Sequence, residues 1–174
     1  RTLSMRAERQ RFATGLAEVT MDRAACNSRA ARSELDIEQF MQGYKAAWEG
    51  RDEALFCALF APDATYRNTP FAEQRGHEQL ARYWQRVKLQ DDIHLSYEIL
   101  ASPPGSGIAH WQVTYQVTSD ELFRIWAAST GTNVVARHAD DPLPRMVLDG
   151  VLRARFAEGL CSECRLWWHS IASP

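Results

Sequence analysis

No run of apolar residues in this 174-residue chain is long enough to cross a bilayer as a helix. Cysteine is scarce as well. Cys26, Cys57, Cys161 and Cys164 form no dense disulfide framework, so a reducing, cytoplasmic setting is expected rather than a secreted one. Charge of one sign is also missing: 20 Lys and Arg face 22 Asp and Glu, for a net charge of -2. Such a balance creates no strong field to draw in nucleic acid or an anionic membrane. The Trp and Tyr residues stand in apolar contexts, not interleaved with basic ones as a base-stacking surface requires. Neither nucleic acid nor a membrane is therefore an expected partner. Internal repeats and low-complexity linkers are absent too. What is present is an ordinary globular composition, 45% hydrophobic and 24% charged, at a length that suits one domain with a proper core.

Residues 1–33 are rich in Arg and Ala and lack the apolar centre of a secretory signal. Their helix-forming residues predict a peripheral helical extension, with a transit peptide or an expression remnant as the alternatives. The first clear element follows in SELDIEQFMQGYKAAWEGRD. Ser33 or Asp36 can cap it, and Ile37, Phe40, Met41, Tyr44, Ala47 and Trp48 form one apolar stripe at helical spacing. Gly50 sits where a helix stop belongs. A short second helix is expected in DEALFCALF, burying Leu55, Phe56, Leu59 and Phe60. The strand ATYRN and a Pro-containing loop come next. A third helix, GHEQLARYWQRV, carries Leu80, Tyr83, Trp84 and Val87 on one side.

After that helix the period becomes two. IHLSYEIL reads as a strand, and IAHWQVTYQV alternates cleanly, with Ala109, Trp111, Val113, Tyr115 and Val117 on one face. Residues 118–145 break the alternation, first as a short helix capped by Ser119 or Asp120, then as a loop ended by Pro142 and Pro144. Two more strands, MVLDGVLRARF and LCSECRLWWHSI, meet at a tight turn through Glu158 and Gly159. Helices first and strands after predict an α+β domain, with three helices packed on one face of an antiparallel sheet.

The order and spacing of YKAAWEGRDEALFCALFAPDATYRNTPF, RGHEQLARYW, AHWQVTYQV and LDGVLRARFAEGLCSECRLWWHS resemble the SnoaL-like members of the nuclear transport factor 2-like superfamily. The resemblance implies a cone over residues 34–174, in which a curved sheet wraps the helices around a deep apolar pocket, with an insertion at 118–145. Relatives use that pocket for steroid isomerisation, polyketide cyclisation, epoxide hydrolysis or dehydration, and others only bind partners, so the fold does not decide the function. The resemblance implies no cofactor.

Set against the ketosteroid isomerases of that superfamily, Tyr44 stands at the position of a Tyr that donates to the enolate oxygen. Asn68 stands where their proton-shuttling Asp belongs, and Leu152 where a second acid belongs. An Asn amide can orient a carbonyl, hydroxyl or water, but it cannot take up a proton near neutral pH. Tyr44 and Asn68 are therefore the catalytic candidates, in the roles of hydrogen-bond donor and orienter. Each has a plainer reading, Tyr44 as core and Asn68 as a turn former bonding its own backbone.

The same alignment puts Trp48, Tyr66, Trp84, Trp111, Val113, Tyr115, Leu148, Gly150, Leu152, Cys164 and Trp168 on the pocket wall, with Gly150 leaving room beneath a flat ligand. The partner expected there is a small apolar molecule. Alternatively, the six Trp fill the cone completely. The pair Cys161 and Cys164 lacks the further ligands of a zinc site, so no metal is expected. Parity sends His110, Gln112, Thr114, Asp149, Arg153, Arg165 and His169 to the outer face, where the family often dimerises, and a homodimer is expected through it. The segment at 118–145, with Leu122, Phe123, Ile125 and Trp126, could cover the pocket mouth or extend that interface.

Overall fold

A computed structural model describes residues 35–130 and 142–173. The helical extension expected over residues 1–33, and the loop half of the insertion at residues 131–141, lie outside the described residues.

Helix α1 spans Ile37–Gly50. Asp36 opens it with a capping box: its carboxylate accepts from the Gln39 N–H at 2.8 Å, and the Gln39 side chain accepts from the Asp36 N–H at 3.3 Å. The six stripe residues Ile37, Phe40, Met41, Tyr44, Ala47 and Trp48 are all buried. The helix stop falls one residue later than the composition suggests. Gly50 stays helical and Arg51 takes the left-handed position at φ 56°, where its guanidinium donates to the Gln90 carbonyl at 3.1 Å. Helix α2 is short, Glu53–Ala58. It ends before Phe60, which opens strand β1 (Phe60–Thr69), and Leu55 is exposed instead of buried. The backbone pairing that draws residues 60–69 into the sheet outweighs the helical spacing of that stretch.

The loop expected after β1 contains a short strand, β2 (Ala72–Arg75), which forms a hairpin with it. Helix α3 (Gly76–Trp84) tightens into a 3₁₀ turn over Gln85–Leu89. Strands β3 (Gln90–Ala101) and β4 (Ser106–Val117), helix α4 (Asp120–Thr130), and strands β5 (Arg145–Ala157) and β6 (Leu160–Ser173) complete the domain. Ser119 caps α4 through the Leu122 N–H. Glu158 and Gly159 both adopt positive φ in the β5–β6 turn, the conformation that a two-residue hairpin needs.

The strands form one curved, unclosed sheet in the order β2-β1-β6-β5-β4-β3. All neighbours are antiparallel except β1 and β6, which run parallel. A bulge in β6 breaks strict alternation. Arg155 pairs with Glu163 and Phe156 with Cys161, so Ser162 is left over. The extra residue turns both Cys161 and Cys164 inward, where strand periodicity alone would send them to opposite faces.

Glu49 ties α1 to the sheet. Its carboxylate accepts from the Leu95 N–H at 2.8 Å and from Lys45 Nζ at 2.5 Å, while Lys45 also donates to the Leu95 carbonyl. Burial pushes the Glu49 pKa up, but these donors outweigh it and hold the pKa below the ordinary carboxylate value. A lowered pKa adds stability above the unfolded-state value, and that stability is lost as pH falls through the folded one. Glu49→Gln is therefore expected to lose about 1 kcal/mol of stability at neutral pH. Urea unfolding should show the gap to wild type closing as the pH drops through the carboxylate range.

Candidate functional site

Part of the cone interior is solid. The Tyr44 and Tyr66 hydroxyls meet at 2.8 Å, and both side chains are fully buried. Burial pushes both phenols well above their ordinary pKa, so they stay protonated. Phe56 stacks on Trp84 with ring centroids 3.8 Å apart, and Phe60 packs edge-on against Phe56 and Tyr66. Val113, Leu152 and Cys164 are buried as well, and burial raises the Cys164 thiol pKa. Tyr44, Tyr66, Trp84, Val113, Leu152 and Cys164, expected on the pocket wall, belong instead to the buried core and do not stand among the residues that line the cavity. The Tyr44 hydroxyl, expected to donate to a ligand, is hydrogen-bonded to the Tyr66 hydroxyl.

Elsewhere the interior stays open. A small cavity of about 40 Å³, partly open to solvent, lies among Trp48, Asn68, Tyr83, Arg86, Val87, Gln90, Trp111, Tyr115, Leu122, Ile125, Trp126, Leu148 and Trp168. Of the residues expected on a pocket wall, it brings together Trp48, Asn68, Trp111, Tyr115, Leu148 and Trp168. Strand parity is why these could be anticipated. Tyr83 and Val87 could have been found from their place on the α3 stripe. Arg86 and Gln90 depend on the 3₁₀ turn, whose tighter winding three residues per turn brings Arg86 beside Tyr83. Leu122, Ile125 and Trp126 come from α4, which lies against the cavity and is tied to β6 by a 2.6 Å bond from Trp126 Nε1 to the Ser170 hydroxyl.

Every polar group on this wall has a definable state. Asn68 is 9% exposed, its carbonyl accepts from Trp168 Nε1 at 2.7 Å, and its side-chain amide makes no bond to another described residue. Asn68 lines the cavity, and among the described residues its side chain makes no hydrogen bond to the backbone of its own turn. Trp48 Nε1 donates to Gln90 Oε1 at 2.8 Å. Trp111 is 1% exposed and its indole N–H has no partner among the described residues. Burial raises the pKa of Tyr83 and Tyr115, while the Arg86 charge pulls both down. Both phenols remain neutral donors at physiological pH. No carboxylate or imidazole stands among the lining residues. His110 and Asp149 do pair, at 3.1 Å, but on the outer face of the sheet and away from the cavity.

Gly150 serves a purpose other than the one its position suggests. It pairs with Trp168 across β5–β6, and a Cβ there would lie 2.4 Å from the Trp167 carbonyl oxygen and 2.6 Å from Trp168 Cβ. The missing side chain makes room for the neighbouring strand and not for a ligand. That close approach seats Trp168, whose indole then reaches across the sheet to fix the Asn68 carbonyl.

Residues 41–163, well over half of the chain, match the SnoaL-like domain. The chain belongs to the SnoaL-like family. Solved structures share the fold at low identity. The epoxide hydrolase/cyclase-like enzyme of pyran ring formation in polyether salinomycin is 12% identical, with TM-score 0.57, covering 78% of this chain and 95% of that one. A computationally designed 17-OHP binder is 13% identical, with TM-score 0.57, covering 77% and 95%. A ketosteroid isomerase-like protein from Catenulispora acidiphila DSM 44928, in complex with trimethylamine, is 14% identical, with TM-score 0.51, covering 74% and 84%. No curated protein matches the chain. At these identities the neighbours establish the NTF2-like cone of this SnoaL-like protein and not its chemistry.

Gly150→Ala is expected to destabilise the protein by about 1–3 kcal/mol, since the obstructing atom is backbone and cannot rotate away. Denaturant unfolding checks the loss. The near-ultraviolet circular dichroism of Trp168 should change with it.

Proposed function

We propose that this SnoaL-like protein binds a small, flat, largely apolar molecule in the open part of its cone. The observation that carries this reading is the aromatic cavity itself, with the unbonded Asn68 amide on its wall. Apolar walls bearing a few fixed polar groups are the usual composition of a small-molecule site. Four lining Trp supply flat faces. Any isomerase, cyclase or dehydratase step here would rest on orientation and polarisation by Asn68 and Tyr115. No lining side chain takes up a proton near neutral pH, so the reading favours binding over general base catalysis. Helix α4 fits the role of a cover on this site, because Leu122, Ile125 and Trp126 face the cavity.

The outer sheet face supports a homodimer. Trp167 is 44% exposed and Ile171 65%. Their cross-strand partners Val151 and Val147 extend them into an apolar patch. Asp149, Arg153, Arg165 and His169 lie around it, giving both signs of charge for a self-complementary contact. The free thiols of Cys57, Cys161 and Cys164 fit a reducing, cytoplasmic location.

Two measurements test these readings. Calorimetric titration with 2-acetylnaphthalene is expected to show binding to the wild type. Leu148→Trp, which fills the cavity from the β5 wall, should weaken that binding at least tenfold without lowering the melting temperature sharply. Absence of binding to the wild type overturns the ligand reading. For the outer face, sedimentation should show a dimer that Trp167→Glu converts to monomer, and a wild-type monomer at all concentrations would refute it.

A further inference from the structure

The cavity carries one full charge, and nothing in the described protein neutralises it. Its neighbours along the chain are paired: Arg82 with Glu78 at 2.8 Å, and Lys88 with Glu53 at 2.8 Å. Arg86, between them, has no carboxylate partner among the described residues, although it lines the cavity. It is nevertheless held in place. Its Nε donates to the Tyr83 carbonyl at 3.1 Å, and its guanidinium lies over the Tyr83 ring, 4.2 Å from the centroid. With Nε and one face engaged, the two terminal nitrogens are left as an oriented fork. That is the geometry that takes a planar oxyanion in two parallel hydrogen bonds.

The groups around the fork share its preference. The phenols of Tyr83 and Tyr115 remain protonated donors, and both feel the Arg86 charge. The Asn68 amide is unbonded and the Trp111 indole N–H lacks a partner. Gln90 spends its carbonyl oxygen on Trp48 and keeps its NH₂. Among the described residues, the wall is rich in donors and contains no acid. Bringing an ammonium beside an unpaired guanidinium in partly apolar surroundings is unfavourable, whereas a carboxylate or enolate is welcome.

Resting on the cavity-ligand reading, we propose that the ligand is a planar aromatic or conjugated molecule bearing an oxyanion, a carboxylate or an enolate, with Arg86 as the residue that selects it. The geometry makes Arg86 the specificity determinant of the site, with the aromatic walls contributing affinity that is indifferent to charge.

The test compares three probes of one shape by calorimetry: 2-naphthoate, the neutral 2-naphthamide and the cationic 2-naphthylmethylammonium. Wild type should bind the naphthoate at least tenfold tighter than the amide and the ammonium weakest. Arg86→Gln should bring naphthoate and amide to within about twofold by weakening only the anion. Arg86→Lys should keep part of the preference, which a merely structural role for Arg86 would not predict. Equal binding of naphthoate and amide by wild type, or a preference that survives Arg86→Gln, overturns the charge inference while leaving the cavity reading intact. Should Arg86→Gln not fold, the wild-type ranking of the three probes decides alone. Failure of all three probes to bind overturns both.

Discussion

A hydrogen bond between two buried phenols divides the interior of this cone. Tyr44 on α1 and Tyr66 on β1 are buried, and a buried hydroxyl without a partner is costly. Their mutual bond removes that cost and brings α1 against the first strand. Once it forms, Phe56, Phe60 and Trp84 close around it through stacked and edge-on contacts. The space left to a ligand is then whatever α1, β1 and α2 do not fill. It lies under the 3₁₀ turn after α3 and against α4.

A second constraint acts at the far side of the same strand. Gly150 lets β6 approach β5 closely, Trp168 settles there, and its indole holds the carbonyl of Asn68. The Asn68 side chain is thereby free to face the cavity. A single short strand thus contributes to both halves of the interior: Tyr66 to the packed half and Asn68 to the open one. Asn68 brings to the cavity a group that can orient a ligand but not abstract a proton, and Tyr44 is packed in the core.

Much of this architecture was legible beforehand. The six-residue stripe of α1 and the alternation of β4 follow from hydrophobic periodicity, because burying one face of a helix or strand demands it. Parity likewise separated Trp111, Tyr115 and Leu148 from His110 and Asp149. Periodicity misled where backbone geometry departs from the regular. The bulge at Ser162 turned Cys161 and Cys164 to the same side, α2 ended at Ala58 before reaching Phe60, and the 3₁₀ turn delivered Arg86 to the cavity. None of these departures leaves a pattern in a chain read two or four residues at a time.

By itself, the sequence determined the buried stripe of α1 and the inward face of β4, since in regular elements that choice depends on local apolar spacing. It also determined that position 68 carries an amide and not an acid, since chemistry follows residue type wherever the side chain points. Only the tertiary structure decided which inward residues pack on each other and which surround open space. Burial is a property of one residue and its surroundings, whereas a cavity is what remains after distant side chains such as Tyr44 and Tyr66, or Gly150 and Trp168, have met.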